Sequence, residues 1–168
     1  MIMNILTSHI DRRRALAVFL AVTASTAMPV VLNASKPVTR VLFVCQFGTV
    51  KSAIARELFR RQAVRRGIPV TVFSRGITPG PHLAISARDH LRADGIIIDG
   101  EAVQPLQQPD LLEADLVIAF NPLPASMHTS VLRDWSEVPS VNDAYHLARA
   151  DLDRRIDLLL DEIARMRR

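Results

Sequence analysis

The chain has 168 residues, which is enough for one domain with a buried core and too few for two independent globular units of ordinary size. Apolar residues make up 49% and charged residues 23%, a balance that disfavours wholesale disorder, collagen-like repeats and a multi-span membrane protein. The chain has one cysteine and five scattered histidines, which exclude a disulfide framework and a thiolate-built zinc site. Its net charge of +4 is weak evidence about partners until the basic residues are located.

The first 27 residues have the order of an export signal. A basic run at residues 12–14 precedes an apolar stretch at 15–27, which ends in the small residues Ser25 and Ala27. The paired arginines followed by Leu16 also resemble a twin-arginine signal, which directs already folded proteins to the periplasm. We therefore expect an exported or periplasmic protein, cleaved near Ala27.

Two alternatives remain open for this segment. Extended to Leu32, the apolar run reaches the lower length limit of a membrane span, so an uncleaved anchor is the second interpretation. The third is a cytoplasmic protein whose start is assigned too far upstream. In either of the first two cases, residues 1–35 form a signal peptide or anchor plus linker and residues 36–168 form the folded domain. The protein contacts a membrane only if the segment is not cleaved.

The remaining chain alternates strand and helix patterns. A β-branched apolar run at 38–44 predicts a buried strand, and apolar residues near helical spacing predict a helix from about Lys51 to Arg66, which Gly67 ends. Further patterns predict, in order, a strand at 70–74, a helix at 84–93, a buried strand at 115–120, a helix at 124–133, a short edge strand at 138–141 and a long C-terminal helix with the apolar stripe Leu152, Ile156, Leu159, Leu160 and Ile163.

This alternation predicts an α/β fold, an open four-stranded parallel sheet with helices on both faces. Ligands of such sheets bind at the carboxyl ends of the strands, so the turn after the first strand is the first candidate site. Arginines also line the first predicted helix, but no aromatic residues are interleaved with them. We interpret them as a solvated helix face and expect no nucleic-acid partner.

The turn after the first strand gathers the reactive residues. A cysteine at the end of a buried strand, followed by a five-residue loop and a helix, faces several free backbone N–H groups, and these form an anion-binding nest. The same positive field and the Lys51 ammonium favour the thiolate form of Cys45. The thiolate, and not the thiol, is the nucleophilic form of a cysteine. The segment reads Cys45, Gln46, Phe47, Gly48, Thr49, Val50, Lys51 and Ser52.

This segment resembles the active-site loop of the low-molecular-weight protein tyrosine phosphatases, which is Cys, five residues, Arg and Ser after the first strand. The related thiol-dependent arsenate reductases share that loop. Residues 74–76, 111–117 and 141–145 also resemble the family, in its order, so that the resemblance covers roughly residues 38–166. It implies the phosphatase-like version of the open parallel sheet.

The resemblance implies a hydrolase that acts on phosphotyrosine, in a phosphorylated protein, or on another small aryl phosphate, without a cofactor or a metal. Cys45 would take up the phosphoryl group, Ser52 would hydrogen-bond the thiolate, and Asp143 would serve as general acid and then as general base. Tyr145 would either line the pocket entrance or only pack. The phosphoryl oxygens would be held by Lys51 and by backbone N–H groups of Gln46, Phe47, Gly48, Thr49, Val50 and Lys51.

The chain departs from the family pattern at several of these positions. Lys51 replaces the family arginine, and an ammonium lacks the planar fork that grips two phosphoryl oxygens, so we expect slow or retuned activity. Phe47 stands where glycine is usual, and Gly48 stands where the family has an asparagine with positive φ, which glycine tolerates. Asp143 lacks its usual following proline, and it could instead cap the last helix.

Two other functions stay open. The first is an arsenate reductase that uses an external thiol or a partner protein, because forms that need further internal cysteines are excluded by the lone Cys45. The second is a non-catalytic module that binds phosphate or a phosphorylated protein in the same nest.

Overall fold

The computed structural model describes residues 38–98 and 102–168. The predicted export signal at residues 12–27 and the predicted anchor ending at Leu32 lie outside the described residues. In the part of the chain that is described, no helix combines the length and the apolar character needed to cross a membrane.

Within the described residues, parallel strands form one sheet, and β1 lies at its centre. The order across the sheet is β2-β1-β3-β4. Strand β1 pairs in parallel with β2 on one side, where Val41 lies opposite Val72, and in parallel with β3 on the other, where Val41 lies opposite Leu116. The strands are β1 (Thr39–Cys45), β2 (Val70–Gly76), β3 (Leu116–Ala119) and β4 (Leu132–Asp134). The predicted four-stranded parallel sheet is confirmed.

Helices cover both faces of this sheet. Alternation along β1 divides its side chains, so that Val41, Phe43 and Cys45 enter one apolar cluster and Leu42 and Val44 enter another. The first cluster contains the buried faces of α1, α2 and α4, while the second is closed by Leu111 of α3. The helices are α1 (Lys51–Arg65), α2 (Ile85–Ala93), α3 (Gln108–Glu113) and α4 (Tyr145–Met166).

Aromatic packing fixes the centre of the first cluster. The ring of Phe43 lies 5.6 Å from that of Phe59 on α1, 6.5 Å from that of Phe120 after β3, and 5.9 Å from that of Trp135 after β4. Each such aromatic pair contributes about 0.5–1.5 kcal/mol beyond its buried area. These contacts hold the carboxyl ends of β1, β3 and β4 in a fixed relation, and that is the edge where the site lies.

Two predicted elements are wrong. The segment predicted as a helix at 124–133 instead makes a turn, with the Met127 N–H on the Pro124 carbonyl at 2.9 Å, and then enters β4. The edge strand predicted at 138–141 is not formed, because β4 occupies that edge at Leu132–Asp134. Residues 138–141 form a loop instead, in which Pro139 has no N–H to donate to a strand.

Helix α3 was not predicted from the sequence. It has only six residues, too few for a periodic apolar pattern to stand out. Its start is nevertheless encoded locally, since Pro109 lies in the first turn and the Asp110 carboxylate accepts the Gln107 N–H at 2.9 Å.

Candidate active site

Cys45 lies at the central point of the sheet's carboxyl edge. It is the last residue of β1, and its side chain is only 6% exposed. Its Sγ lies 3.1 Å from the Oγ of Ser52, the second residue of α1, which is fully buried. The hydroxyl is therefore placed to donate a hydrogen bond to the sulfur when the sulfur carries the charge. The structure brings these two predicted residues together, and their roles stay a prediction.

The loop between β1 and α1 is held by its carbonyl groups. Backbone N–H groups of the segment 77–84 donate hydrogen bonds to four of the five carbonyl groups of residues 45–49. These bonds direct the oxygen ends of the loop peptides toward that segment. They join the Ile77 N–H to the Cys45 oxygen at 3.1 Å, Thr78 to Gln46 at 2.8 Å, Gly80 to Phe47 at 3.0 Å and Ala84 to Thr49 at 3.1 Å.

The N–H groups of the loop, unlike its carbonyl groups, mostly lack hydrogen-bond partners among the described residues. Among the described residues, we find no acceptor for the N–H groups of residues 47–50. The first backbone bond of α1 runs from the Ile54 N–H to the Val50 carbonyl, so the N–H groups of 51–53 also lack partners within the helix. The first turn of α1 has no acidic side chain. A group of N–H dipoles at a helix N-terminus is an anion site.

Close backbone contacts set the shape of the loop. Gly48 has φ +68°, as expected for a position where the family has a residue of positive φ, and a Cβ there would lie 2.9 Å from the Gly76 nitrogen and would collide with Val103. At Gly76, the end of β2, a Cβ would lie 2.8 Å from the Phe47 oxygen. The glycines thus let the loop lie directly against the end of β2.

A cavity of 190 Å³ opens over Cys45. One wall is the β1–α1 loop, and the other is formed by Asn121 after β3 and by residues 140–142 before α4. No group of His, Cys, Asp or Glu in the described part of the chain is arranged to hold a metal ion. The predicted site residues that line this cavity are Cys45, Gln46, Phe47, Thr49, Val50 and Lys51.

Gly48 faces a different cavity. That cavity is larger, 340 Å³, and lies on the β2 side of the loop, where Arg56 and Arg75 also line it. Cys45 does not line this cavity, so the larger of these two cavities is not the candidate active site.

Lys51 lines the Cys45 cavity and is also bound to the chain that leads to the second wall. Its Nζ donates to the Val138 carbonyl at 2.6 Å, two residues before the wall residue Ser140. Burial lowers the pKa of Lys51, and the negative charge of Cys45 acts in the opposite direction. The ammonium is therefore near the sulfur but has one of its donors committed to the protein backbone.

Asp143 and Tyr145 do not line the cavity. Asp143 is exposed in the turn before α4, directly after the cavity residue Asn142. The ring of Tyr145 stacks on His90 of α2, with centroids 3.7 Å apart. Its hydroxyl donates to Asp94 at 2.6 Å. Asp143 thus lies at the border of the cavity, while Tyr145 packs between α2 and α4.

Asp94 organises this neighbouring cluster. Its Oδ2 accepts hydrogen bonds from the Tyr145 hydroxyl and from the Arg149 Nε at 2.8 Å. Burial acts to raise the pKa of Asp94, but these hydrogen bonds and the charges of Arg149 and Arg61 outweigh it, and the pKa lies below its ordinary value. Burial and the bond to Asp94 raise the pKa of Tyr145. The cluster fixes the first turn of α4 immediately after Asp143.

Sequence reasoning missed Asn121. Its Oδ1 accepts the Gln46 N–H at 2.8 Å, and the residue lines the cavity. The one signal that could have found it is its place just beyond the carboxyl end of a buried strand, since such ends meet at one edge in a parallel sheet.

Comparison with known proteins identifies the family of the chain. The sequence pattern of the low molecular weight phosphotyrosine protein phosphatase family matches residues 40–164. The chain belongs to this family. None of the curated proteins searched matches the chain.

Solved structures of similar proteins share the fold. YfkJ from Bacillus subtilis has a TM-score of 0.69 at 21% identity over 79% of this chain and 98% of its own. A low molecular weight protein tyrosine phosphatase from T. tengcongensis has 0.64 at 23%, over 74% and 99%. The thioredoxin-dependent arsenate reductase of Corynebacterium glutamicum has 0.60 at 26%, over 77% of this chain and 64% of its own. The expected phosphatase-like fold is confirmed.

Asp94→Asn tests the cluster beside α4. The carboxylate has a lowered pKa in the folded state, so its contribution to stability is complete above the ordinary value of 3.8 and is lost as the pH falls through the folded-state pKa. We expect the variant to be less stable at pH 7 by about 1–3 kcal/mol. The difference should shrink as the pH falls below the ordinary value of 3.8, because the carboxyl takes up a proton in the unfolded state before it does so in the folded state. Urea unfolding at several pH values measures it.

Asp89→Asn on α2, five residues before Asp94, is the matched control. Asp89 forms an exposed ion pair with Arg92 at 3.0 Å, and such pairs contribute about 0–1 kcal/mol. Equal losses of stability in the two variants, or a loss in Asp94→Asn that does not depend on pH, would contradict the role given to Asp94.

Proposed function

We propose that this family member is a phosphatase that hydrolyses phosphotyrosine or another aryl phosphate through a phosphocysteine intermediate on Cys45. The observation that carries the proposal is the position of the Cys45 sulfur, 3.1 Å from the Ser52 hydroxyl, below a loop whose N–H groups at 47–50 have no acceptor among the described residues. Membership of the phosphatase family supports the reaction class. A nucleophile and an anion site in one cavity are what phosphoryl transfer to a side chain requires.

In the first step, the Cys45 thiolate attacks phosphorus. The S–P bond forms as the bond from phosphorus to the leaving oxygen breaks, and Asp143 donates a proton to that oxygen. The N–H groups of the loop and of the first turn of α1 hold the three equatorial oxygens, where charge accumulates in the transition state. Asp143 follows the cavity residue Asn142 in the chain, and this nearness supports its proposed role as proton donor.

In the second step, water hydrolyses the phosphocysteine. The Asp143 carboxylate accepts a proton from the attacking water, the S–P bond breaks, and the thiolate is released together with inorganic phosphate. The buried Ser52 hydroxyl donates a hydrogen bond to the departing sulfur, which stabilises its charge where water has little access.

In this proposal, Lys51 limits the rate of turnover. Its Nζ is bound to the Val138 carbonyl at 2.6 Å, and an ammonium cannot present two parallel donors to the phosphoryl group. The positive charge still favours binding of a dianion. We infer that the enzyme binds its substrate well and turns it over slowly.

The alternatives differ in what happens after the anion is bound. A thioredoxin-dependent arsenate reductase is among the similar structures, at 26% identity, so arsenate with an external thiol is the second candidate substrate. Structures of YwlE, described as an arginine phosphatase, are also similar. A phosphoarginine compound therefore belongs in the substrate panel beside the aryl phosphates.

Trapping the intermediate tests the proposed reaction. Wild-type protein mixed with p-nitrophenyl phosphate and quenched in acid should carry an adduct of about +80 Da, the mass of a phosphoryl group, on Cys45. Cys45→Ala, which leaves no nucleophile at this position, should abolish both the adduct and release of p-nitrophenol. Ser52→Ala should increase the trapped fraction, because loss of the hydrogen bond to sulfur slows the second step more than the first. Intact-mass and peptide-mass spectrometry measure each result.

Other outcomes would redirect the assignment. Binding of phosphate with no adduct and no turnover would contradict the phosphatase and favour the binding module. Thiol-dependent formation of arsenite at a rate above that of phosphate release would favour the arsenate reductase. Faster hydrolysis of phosphoarginine than of aryl phosphates would keep the mechanism and change the substrate.

Lys51→Arg tests the explanation for slow turnover. The guanidinium supplies the planar fork that lysine lacks, so we expect kcat/KM for p-nitrophenyl phosphate to rise about 10-fold to 100-fold. Arg65→Lys, at the last residue of α1, is the matched control and should leave it unchanged. A kcat/KM for Lys51→Arg equal to or below wild type, in a protein of unchanged thermal stability, would show that the missing fork does not limit the rate.

A further inference from the structure

Asn121 is held in one orientation. Its side-chain oxygen accepts the Gln46 N–H at 2.8 Å, and an N–H group cannot donate to the amide nitrogen, so the oxygen must face Gln46. The Nδ2 group therefore faces away from the Gln46 nitrogen. Among the described residues it has no hydrogen-bond acceptor, although Asn121 is partly buried and lines the Cys45 cavity. A fixed donor without a protein partner is left at the wall of an anion site.

Lys51 and the other polar side chains of the second wall are less suitable donors than Asn121. Lys51 has its Nζ on the Val138 carbonyl, and Ser140 and Asn142 are exposed at the rim. Asn142 also has its Oδ1 3.3 Å from the Ser86 hydroxyl. Asn121 is the residue of the second wall that both is partly buried and touches the loop that binds the anion.

We propose that Asn121 is a substrate-contacting residue whose Nδ2 donates a hydrogen bond to an oxygen of the bound phosphoryl group. This inference rests on the proposed function, because it needs an oxyanion bound over Cys45. The amide supplies from the opposite wall a neutral, fixed donor, at a site where Lys51 offers no fork. Its oxygen meanwhile holds the first peptide of the loop, so that one side chain positions the loop and contacts its ligand.

A purely structural role for Asn121 predicts something different. If the residue only holds the Gln46 N–H, a carboxylate at the same position keeps that hydrogen bond and oxyanion affinity should persist. If the residue contacts the ligand, the same change removes the donor and places a negative charge against the anion. Asn121→Asp therefore separates the two roles.

The experiment is calorimetric titration of the full chain with inorganic phosphate, for wild type, Asn121→Asp and Asn142→Asp. Asn142→Asp adds the same charge at the exposed rim of the same cavity and is the matched control. We expect Asn121→Asp to bind phosphate about 10-fold to 100-fold more weakly than wild type, and clearly more weakly than Asn142→Asp. The difference in phosphate affinity between Asn121→Asp and wild type should become smaller below about pH 5, because the introduced carboxyl takes up a proton there and regains a donor.

A second variant covers the case in which Asn121→Asp fails to fold. Asn121→Ser is neutral and too short to reach both the loop and the ligand, and it should also weaken phosphate binding about 10-fold. Wild-type affinity in either folded variant, or equal losses in Asn121→Asp and Asn142→Asp, would overturn the role of Asn121 alone. Failure of wild-type protein to bind phosphate would overturn the proposed anion site itself, and this inference with it.

Discussion

The site depends on how the peptides of one loop are oriented. Carbonyl groups of residues 45–47 and 49 accept hydrogen bonds from the segment 77–84, and the N–H groups of 47–50 are left without an acceptor among the described residues. Unpaired N–H groups are costly, so a loop of this kind persists only where surrounding contacts enforce it. Here the close approach of Gly48 and Gly76 and the packing of α1 on β1 enforce it. The anion site that we propose follows from that arrangement.

The second wall of the cavity is attached to the first by single polar contacts. Asn121 holds the Gln46 peptide, and Lys51 reaches the Val138 carbonyl from the start of α1. Behind this wall, Asp94 and Tyr145 fix the first turn of α4, so the chain just before it, which includes Asp143, starts from a defined position. In the proposed function, the Lys51 charge favours binding of the anion but supplies no planar fork for the reaction, whereas Asn121 supplies a fixed donor to the bound anion.

The sequence predicted the fold to a large extent, because strands such as β1 and the apolar stripe of α4 have strong periodic patterns. It failed between 124 and 141, where prolines and short apolar runs fit several structures and pairing with β3 decides which residues form β4. Cys45, Ser52 and the loop were predictable because they are contiguous in the chain. Asn121 was not, since its role comes from a contact with Gln46, 75 positions away, that no local pattern records.

The most direct test of the central claim is to observe the loop amides while an oxyanion binds. In ¹H–¹⁵N spectra of the isotope-labelled protein titrated with orthovanadate, the account predicts that the largest shifts occur at the backbone amides of residues 47–53. Those amides should move downfield, as expected for N–H groups that gain an anionic acceptor. Shifts that are absent there, or that cluster instead around the larger cavity beside Arg75, would contradict it.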